Sequence, residues 1–425
     1  MQASVTNEKT ITIMNAEHNA IFRDFLTNYR ATQFGFLAEL VRVPTDRPDQ
    51  DVTAFLEMLA SHLKTYDFEV TLHGVPEELC ASHGFAPLTN VIARRSFGPG
   101  PTVALVANVD TSLAGDGWNQ DPFAAKIVDG KMYGRGVVSA KGALAAYVFA
   151  ARALSEVKDK LSGTVELHIS FDGEADGDLG SGWLLSEKLV APDFAICPGN
   201  THSLMISANG ILQLEVEIRG RRAPASRPED GRDALEAASR VMSSIYGLRD
   251  ENAKIKSEIP GINPPSALIS EIQGGEYGRS VSERCMLTIT RSLIPEEDAT
   301  KVENQITNRV GIEVTRVPGV LCKIRRKGLS RPLIANETTQ IMVDHFQAQA
   351  PAVFDAPLPE VGTPHGTLAR HYAAAGIPTV LYGVGPAKPS QAQVGAANEV
   401  LDLDDLRKST ELLSYVLADI LKTKT

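Results

Sequence analysis

Apolar residues recur every three or four positions through FLTNYRATQFGFLAELVRV (25–43) and DVTAFLEMLASHLKTYDF (51–68), a spacing that predicts two amphipathic helices. The continuous apolar runs TVALVAN (102–108) and VELHISF (165–171) instead predict strands buried on both faces. Strand and helix alternate up to about Ser207, the order of an α/β domain. From Gly210 the period changes. Leu212, Leu214, Val216 and Ile218 alternate with polar residues, ALEAASRVMSSIYGL (234–248) has helical spacing, and two later strands and the helix DATKVENQITNRV (298–310) follow. This stretch predicts a four-strand, two-helix α+β insert. Beyond Cys322 the helix TTQIMVDHFQ (338–347), the strand TVLYGV (379–384) and the helix DLDDLRKSTELLSYVLADILK (402–422) resume the first domain. The expected organisation is therefore a main domain of 1–208 with 321–425, interrupted by an insert of 209–320. No internal repeat or low-complexity segment is found.

Composition narrows the function classes. At 425 residues and 43% hydrophobic, the chain is large enough for two domains with sizeable cores. Its 42 Lys and Arg against 52 Asp and Glu leave a net charge of −10, which provides no basic footprint for nucleic acid. MQASVTNEKTITIMNAEHNA lacks a basic start and a long apolar run, so neither a signal peptide nor a membrane partner is expected. Cys80, Cys197, Cys285 and Cys322 are far apart without CxxC spacing. That argues against a zinc ribbon or a disulfide framework and for a reducing, cytoplasmic setting.

The segment after the strand at 102–108 carries the most specific pattern. Gly115, Asp116, Gly117 and Trp118 precede Asp121, Pro122 and Phe123; Tyr133, Gly134, Arg135 and Gly136 form a turn; Lys141 and Gly142 open a helical run. In type and spacing these resemble the zinc peptidase family of acetylornithine deacetylase, succinyl-diaminopimelate desuccinylase, aminoacylase and glutamate carboxypeptidase. The resemblance implies a mixed-sheet main domain of zinc-peptidase type, with an inserted α+β ferredoxin-like lid and dimerisation domain. A homodimer through Gly210–Val320 is part of the same expectation.

The family's metal chemistry maps onto altered residues. The resemblance places Asn108 at a ligand His, Ser139 at the bridging Asp, Gly173 at the general base, Glu174 at a ligand acid, Cys197 at the next ligand acid and Gly395 at the last ligand His, beside Asn398 and Glu399. Asp110, which orients the first His in the family, remains. Two zinc ions need about five or six carboxylate, imidazole or thiolate ligands, and by this alignment one of five survives. In the insert, 223–228 lacks the family's oxyanion His, Arg279 and Ser282 stand where the family has Asn and Pro, and Arg291 matches a lid arginine. His365 occupies an Asp position.

What remains defines a candidate site of Asp110, Glu174, Cys197 and His365, with Arg279 and Arg291 as carboxylate or phosphate anchors. Each has a plainer reading: Cys197 as a small buried side chain, His365 as a turn residue, the arginines as salt-bridge partners, and the two acids as groups held by backbone N–H or by Lys141. Asn108 and Ser139 read as neutral hydrogen-bonding fillers. Three functions follow. The first is a metal-independent descendant that binds or transforms an amino-acid-derived, carboxylate-bearing small molecule. The second is a deacylase with one zinc rebuilt on Asp110, Glu174, Cys197 and His365. The third is an inactive partner that dimerises with itself or with an active relative.

Overall fold

The fold is taken from a computed structural model, which describes residues 16–423 apart from 48, 139, 276 and 277. Two compact units result, one of Met1–Ile206, Ala335–Glu360 and Thr367–Thr425, the other of Ser207–Ile334 and Val361–Gly366.

Most strands of a mixed eight-stranded sheet come from apolar runs of the main unit. Its order is Glu69–Gly74, Thr89–Ser96, Thr164–Ser170, Thr102–Asn108, Phe194–Cys197, Thr379–Leu381, Leu204–Ala208 and Glu360–Thr363. Thr102–Asn108 runs parallel to both of its neighbours, so the loops that follow three central strands leave the sheet at the same end. Crevices at the carboxyl ends of parallel strands are where α/β proteins place their sites.

The helix Lys141–Ala153 is buried almost throughout, and its six alanines let neighbouring elements approach closely. It packs against the terminal helix Leu403–Leu421, whose Leu406, Leu413 and Leu417 are fully buried. The helix expected over 25–43 is two, Ala16–Asn28 and Arg30–Arg42, divided at Tyr29, where φ −100° and ψ 10° leave the helical region.

The second unit has a four-stranded antiparallel sheet in the order Ala267–Gly274, Arg284–Leu293, Gly210–Arg219, Leu321–Ser330. Leu212, Leu214, Val216 and Ile218 all point inward, as their alternation requires. Helices Ala234–Asn252 and Ala299–Thr315 share this core, each started by an aspartate, Asp233 or Asp298, that accepts from first-turn N–H groups. The division differs from the expected end of the insert at 320. Leu321–Ser330 pairs with Gly210–Arg219 and belongs to the second sheet. Its charged run of Lys323, Arg325, Arg326 and Lys327 hides the apolar alternation, which is common at a sheet edge.

No helix among the described residues is long and apolar enough to cross a membrane.

Candidate functional site

The strand Thr102–Asn108 is apolar and buried from Val103 to Ala107, and polar side chains begin at Asn108. Asp110 lies just beyond, next to the loop that follows Thr164–Ser170. Its Oδ1 accepts from Gly173 N (2.9 Å) and Asn108 Nδ2 (3.1 Å), and its Oδ2 accepts from Glu174 N (2.8 Å). One carboxylate thus latches the 173–174 turn to the end of the central strand. Burial pushes the Asp110 carboxyl up, against the pull of these hydrogen bonds.

Gly173 is held closer still. A Cβ there would lie 2.4 Å from Asn108 Cγ and 2.5 Å from its Cβ, so the Asn108 side chain fills the space that a side chain at 173 would need. Asp172, one residue earlier, accepts at Oδ2 from Leu179 N (2.6 Å) and Gly180 N (2.8 Å). Burial, with the nearby Asp110 charge, pushes Asp172 up to about 6.

A third buried acid, Glu399, is held differently. Glu399 Oε2 accepts from Arg135 Nη1 (2.9 Å) and Gly136 N (3.2 Å), while its Oε1 accepts from Val138 N (3.0 Å). Arg135 also donates to the carbonyls of Leu113 and Ala114 and lies 5.3 Å from the Trp118 ring. Asn398 accepts from Asn119 N and donates to Gly117 O, closing the glycine-rich loop. Lys141, with no exposed surface, donates from Nζ to Val43 O (2.8 Å). Burial lowers its ammonium to about 7 against the opposing charges of Asp46, Glu399 and Asp110.

A cavity of about 320 Å³ lies over the latch, lined by Asp46, Arg47, Phe85, Asp110, Phe171 and Glu174, and also by Thr45, His83 and Thr111. Water reaches Glu174, yet the surrounding protein and the Asp110 charge push its carboxyl up to about 7, with Arg135 opposing. The acid is thereby placed to hold or release a proton near neutrality.

Of the expected catalytic residues, Asp110 and Glu174 come together here. Cys197 does not line this cavity. It ends a buried strand with no exposed surface, and burial pushes its thiol far above the ordinary range, which disfavours a thiolate. His365 is exposed and belongs to the second unit, its backbone N–H donating to Thr363 Oγ1. Arg279 is exposed in that same unit. Arg291, expected as a ligand anchor, is instead a buried ion-pair partner of Glu297 at 2.6 Å. Gly395 occupies the left-handed region at φ 74°. Ser139 lies outside the described residues. Asp46, Thr111 and Phe171 were not picked out in the sequence; the polar stretch after Asp110 was the only hint of Thr111, and nothing local marked Asp46.

Residues 104–419 match peptidase family M20/M25/M40. The chain belongs to this family. Succinyl-diaminopimelate desuccinylase of Sulfurimonas denitrificans is 24% identical over 340 residues, spanning 77% of this chain and 87% of that protein. Acetylornithine deacetylase of Proteus mirabilis is 25% identical over 377 residues, spanning 87% and 91%. Among solved structures, human carnosine dipeptidase 1 superposes with a TM-score of 0.73 at 18% identity, covering 96% of this chain and 99% of that one. An M20 metallo-carboxypeptidase of Sulfolobus solfataricus has a TM-score of 0.70 at 16% identity, covering 91% and 98%.

Among the described residues no group of three or more His, Cys, Asp or Glu is arranged to hold a metal ion. Asp110 is engaged by two backbone N–H groups and Asn108, Glu399 is paired with Arg135, and Cys197 is buried inside the sheet, where burial pushes its thiol upward. No group at 173 can act as a base.

Proposed function

We propose that the main unit is a metal-independent descendant of the M20 scaffold, that it binds an amino-acid-derived small molecule in the cavity over Asp110, and that Glu174 exchanges a proton with that molecule. Two copies associate through the inserted unit in the same reading. The observation that carries it is the Asp110 latch. The carboxylate which the family resemblance sets beside a metal ligand here holds the Gly173–Glu174 turn, and Asn108 closes the space above Gly173. Diaminopimelate and ornithine, amino acids named in two relatives, support the ligand class. Association is supported by the outer strand Leu321–Ser330, where Leu321 is 72% exposed, and by Ile312 at 57%.

The deciding experiment is metal content per chain, by mass spectrometry, after incubation with zinc, cobalt and manganese and removal of excess. The reading expects far less than one equivalent. One tightly held equivalent, lost in Glu174→Ala, would establish a rebuilt zinc site instead. Light scattering at twice the chain mass, reverting to one chain in Leu321→Asp, checks the association.

A further inference from the structure

Asp110 grips only the start of the turn that carries Glu174, and Asp172 takes the amides of Leu179 and Gly180 at its far end. The middle is held by other groups. Arg370 Nη2 donates to Asp176 O at 2.7 Å, and His371 Nε2 lies 2.9 Å from the same oxygen. Arg370 Nη2 also reaches Asp178 Oδ1 at 3.0 Å, with His371 Nε2 3.6 Å from that carboxylate oxygen. The Arg370 and His371 side chains are only 16% and 13% exposed, so water competes little for these bonds.

Two donors on one carbonyl matter because of where that carbonyl stands. Asp176 and Gly177 are both left-handed, at φ 72° and 74°. That region is uncommon for a residue with a side chain. The Asp176 carbonyl belongs to the planar peptide that joins the pair, so fixing its direction fixes ψ of Asp176 and φ of Gly177 together. The fit is close as well, since a Cβ at Gly182 would lie 2.9 Å from His371 Cε1.

The donors stand on a firm base. Both belong to the short helix Ala369–Ala374, whose fully buried Tyr372 has its hydroxyl 2.8 Å from His168 Nδ1. His168, on the strand Thr164–Ser170, lies 2.8 Å from Glu166 Oε2, and Glu166 Oε1 accepts from Arg94 Nε at 2.6 Å. The turn is thus gripped at its ends by two aspartates and in its middle by a helix anchored to the sheet.

Resting on the reading of Glu174 as the group that exchanges a proton with the bound molecule, we infer that Arg370 and His371 are positioning residues, which hold the Asp176–Gly177 peptide and thereby set where the Glu174 carboxyl stands over the cavity. Glu174 is two residues before that peptide, in the single turn Gly173–Ala175. Without the two donors the middle of the turn is free to rotate, and Glu174 moves with it.

Two readouts on the full chain test this: hydrogen exchange of the 173–180 amides, and the side-chain 13C signal of Glu174, assigned by its loss in Glu174→Gln. The signal is read at about pH 9, above the range in which this acid titrates. Arg370→Ala and His371→Ala are each expected to quicken exchange at least about tenfold, the size of one hydrogen bond, and to move the Glu174 signal toward that of an unfolded chain. His371→Gln, which keeps an N–H near the place of Nε2, is expected to restore both, and Arg370→Lys to restore part. If an alanine variant fails to fold, Gly182→Ala, which crowds the His371 ring without removing a donor, is expected to move the same signals. Unchanged exchange would overturn the inference. So would faster exchange with an unmoved Glu174 signal, the mark of structural support alone, or a His371→Gln protein no better than His371→Ala. Neither readout needs a metal or a bound molecule, so failure here would overturn the positioning role alone, and metal content decides the reading beneath it separately.

Discussion

Glu399 and Asp110 are both buried carboxylates beside one crevice, yet they are compensated in opposite ways. Glu399 faces a full positive charge on Arg135 and two backbone N–H groups, whereas Asp110 faces an amide side chain and two backbone N–H groups. A buried charge answered by a charge depends wholly on its partner. One answered only by dipoles keeps its burial cost, and burial pushes the Asp110 and Asp172 carboxyls upward against their hydrogen bonds. The ion pair fixes the glycine-rich loops that this chain shares with its family.

Breaking the ion pair should have the largest effect. Arg135→Met leaves Glu399 buried without its cation and should cost about 3–5 kcal/mol in urea unfolding. An equal loss in Asp110→Asn would erase the contrast between the two acids. That substitution should cost only about 1–3 kcal/mol, because one amide N–H then opposes a backbone donor. Hydrogen exchange should quicken chiefly at the Gly173 and Glu174 amides.

Gly173→Ala probes the same latch by volume. With a Cβ 2.4 Å from Asn108 Cγ, it should destabilise by about 1–3 kcal/mol. Asn108→Gly removes both crowding carbons, so the double variant should be more stable than the sum of the single losses predicts. Strict additivity would mean that the two residues do not interlock.

The remaining effect is in pH dependence. Carboxyls raised in the folded state bind protons that the unfolded chain has already lost. Asp172 and Glu174 therefore contribute stability that is full below about 4 and is lost as pH rises through about 6 and 7. Lys141, lowered to about 7, acts the other way: its neutral form is favoured in the fold, so its contribution recovers as pH rises from about 7 towards 10. Urea midpoints across pH 4–10 should show a minimum near neutrality. Glu174→Gln should flatten the falling limb, and an unchanged limb would show that Glu174 titrates normally.

Local pattern carried much of this molecule into view. Runs such as TVALVAN and alternation such as Leu212 to Ile218 predict strands because burial on two faces or on one leaves different periods. The turn residues from Gly115 to Gly142 identified the family because their backbone geometry restricts which side chains fit. Leu321–Ser330 escaped notice because an edge strand tolerates charge, and its membership depends on a partner more than a hundred residues away.

The candidate site divides along the same line. Sequence alone determined which residues stand at the family's positions, since that is a matter of order and spacing, and it brought Asp110, Glu174, Asn108 and Gly173 forward. Only the tertiary structure decided what they do: that Asp110 holds a turn, that Asn108 excludes a side chain at 173, that Cys197 is sealed in the sheet and that Arg291 belongs to Glu297. Protonation and hydrogen-bond capacity depend on burial and on neighbours distant in the chain, and no local pattern records them.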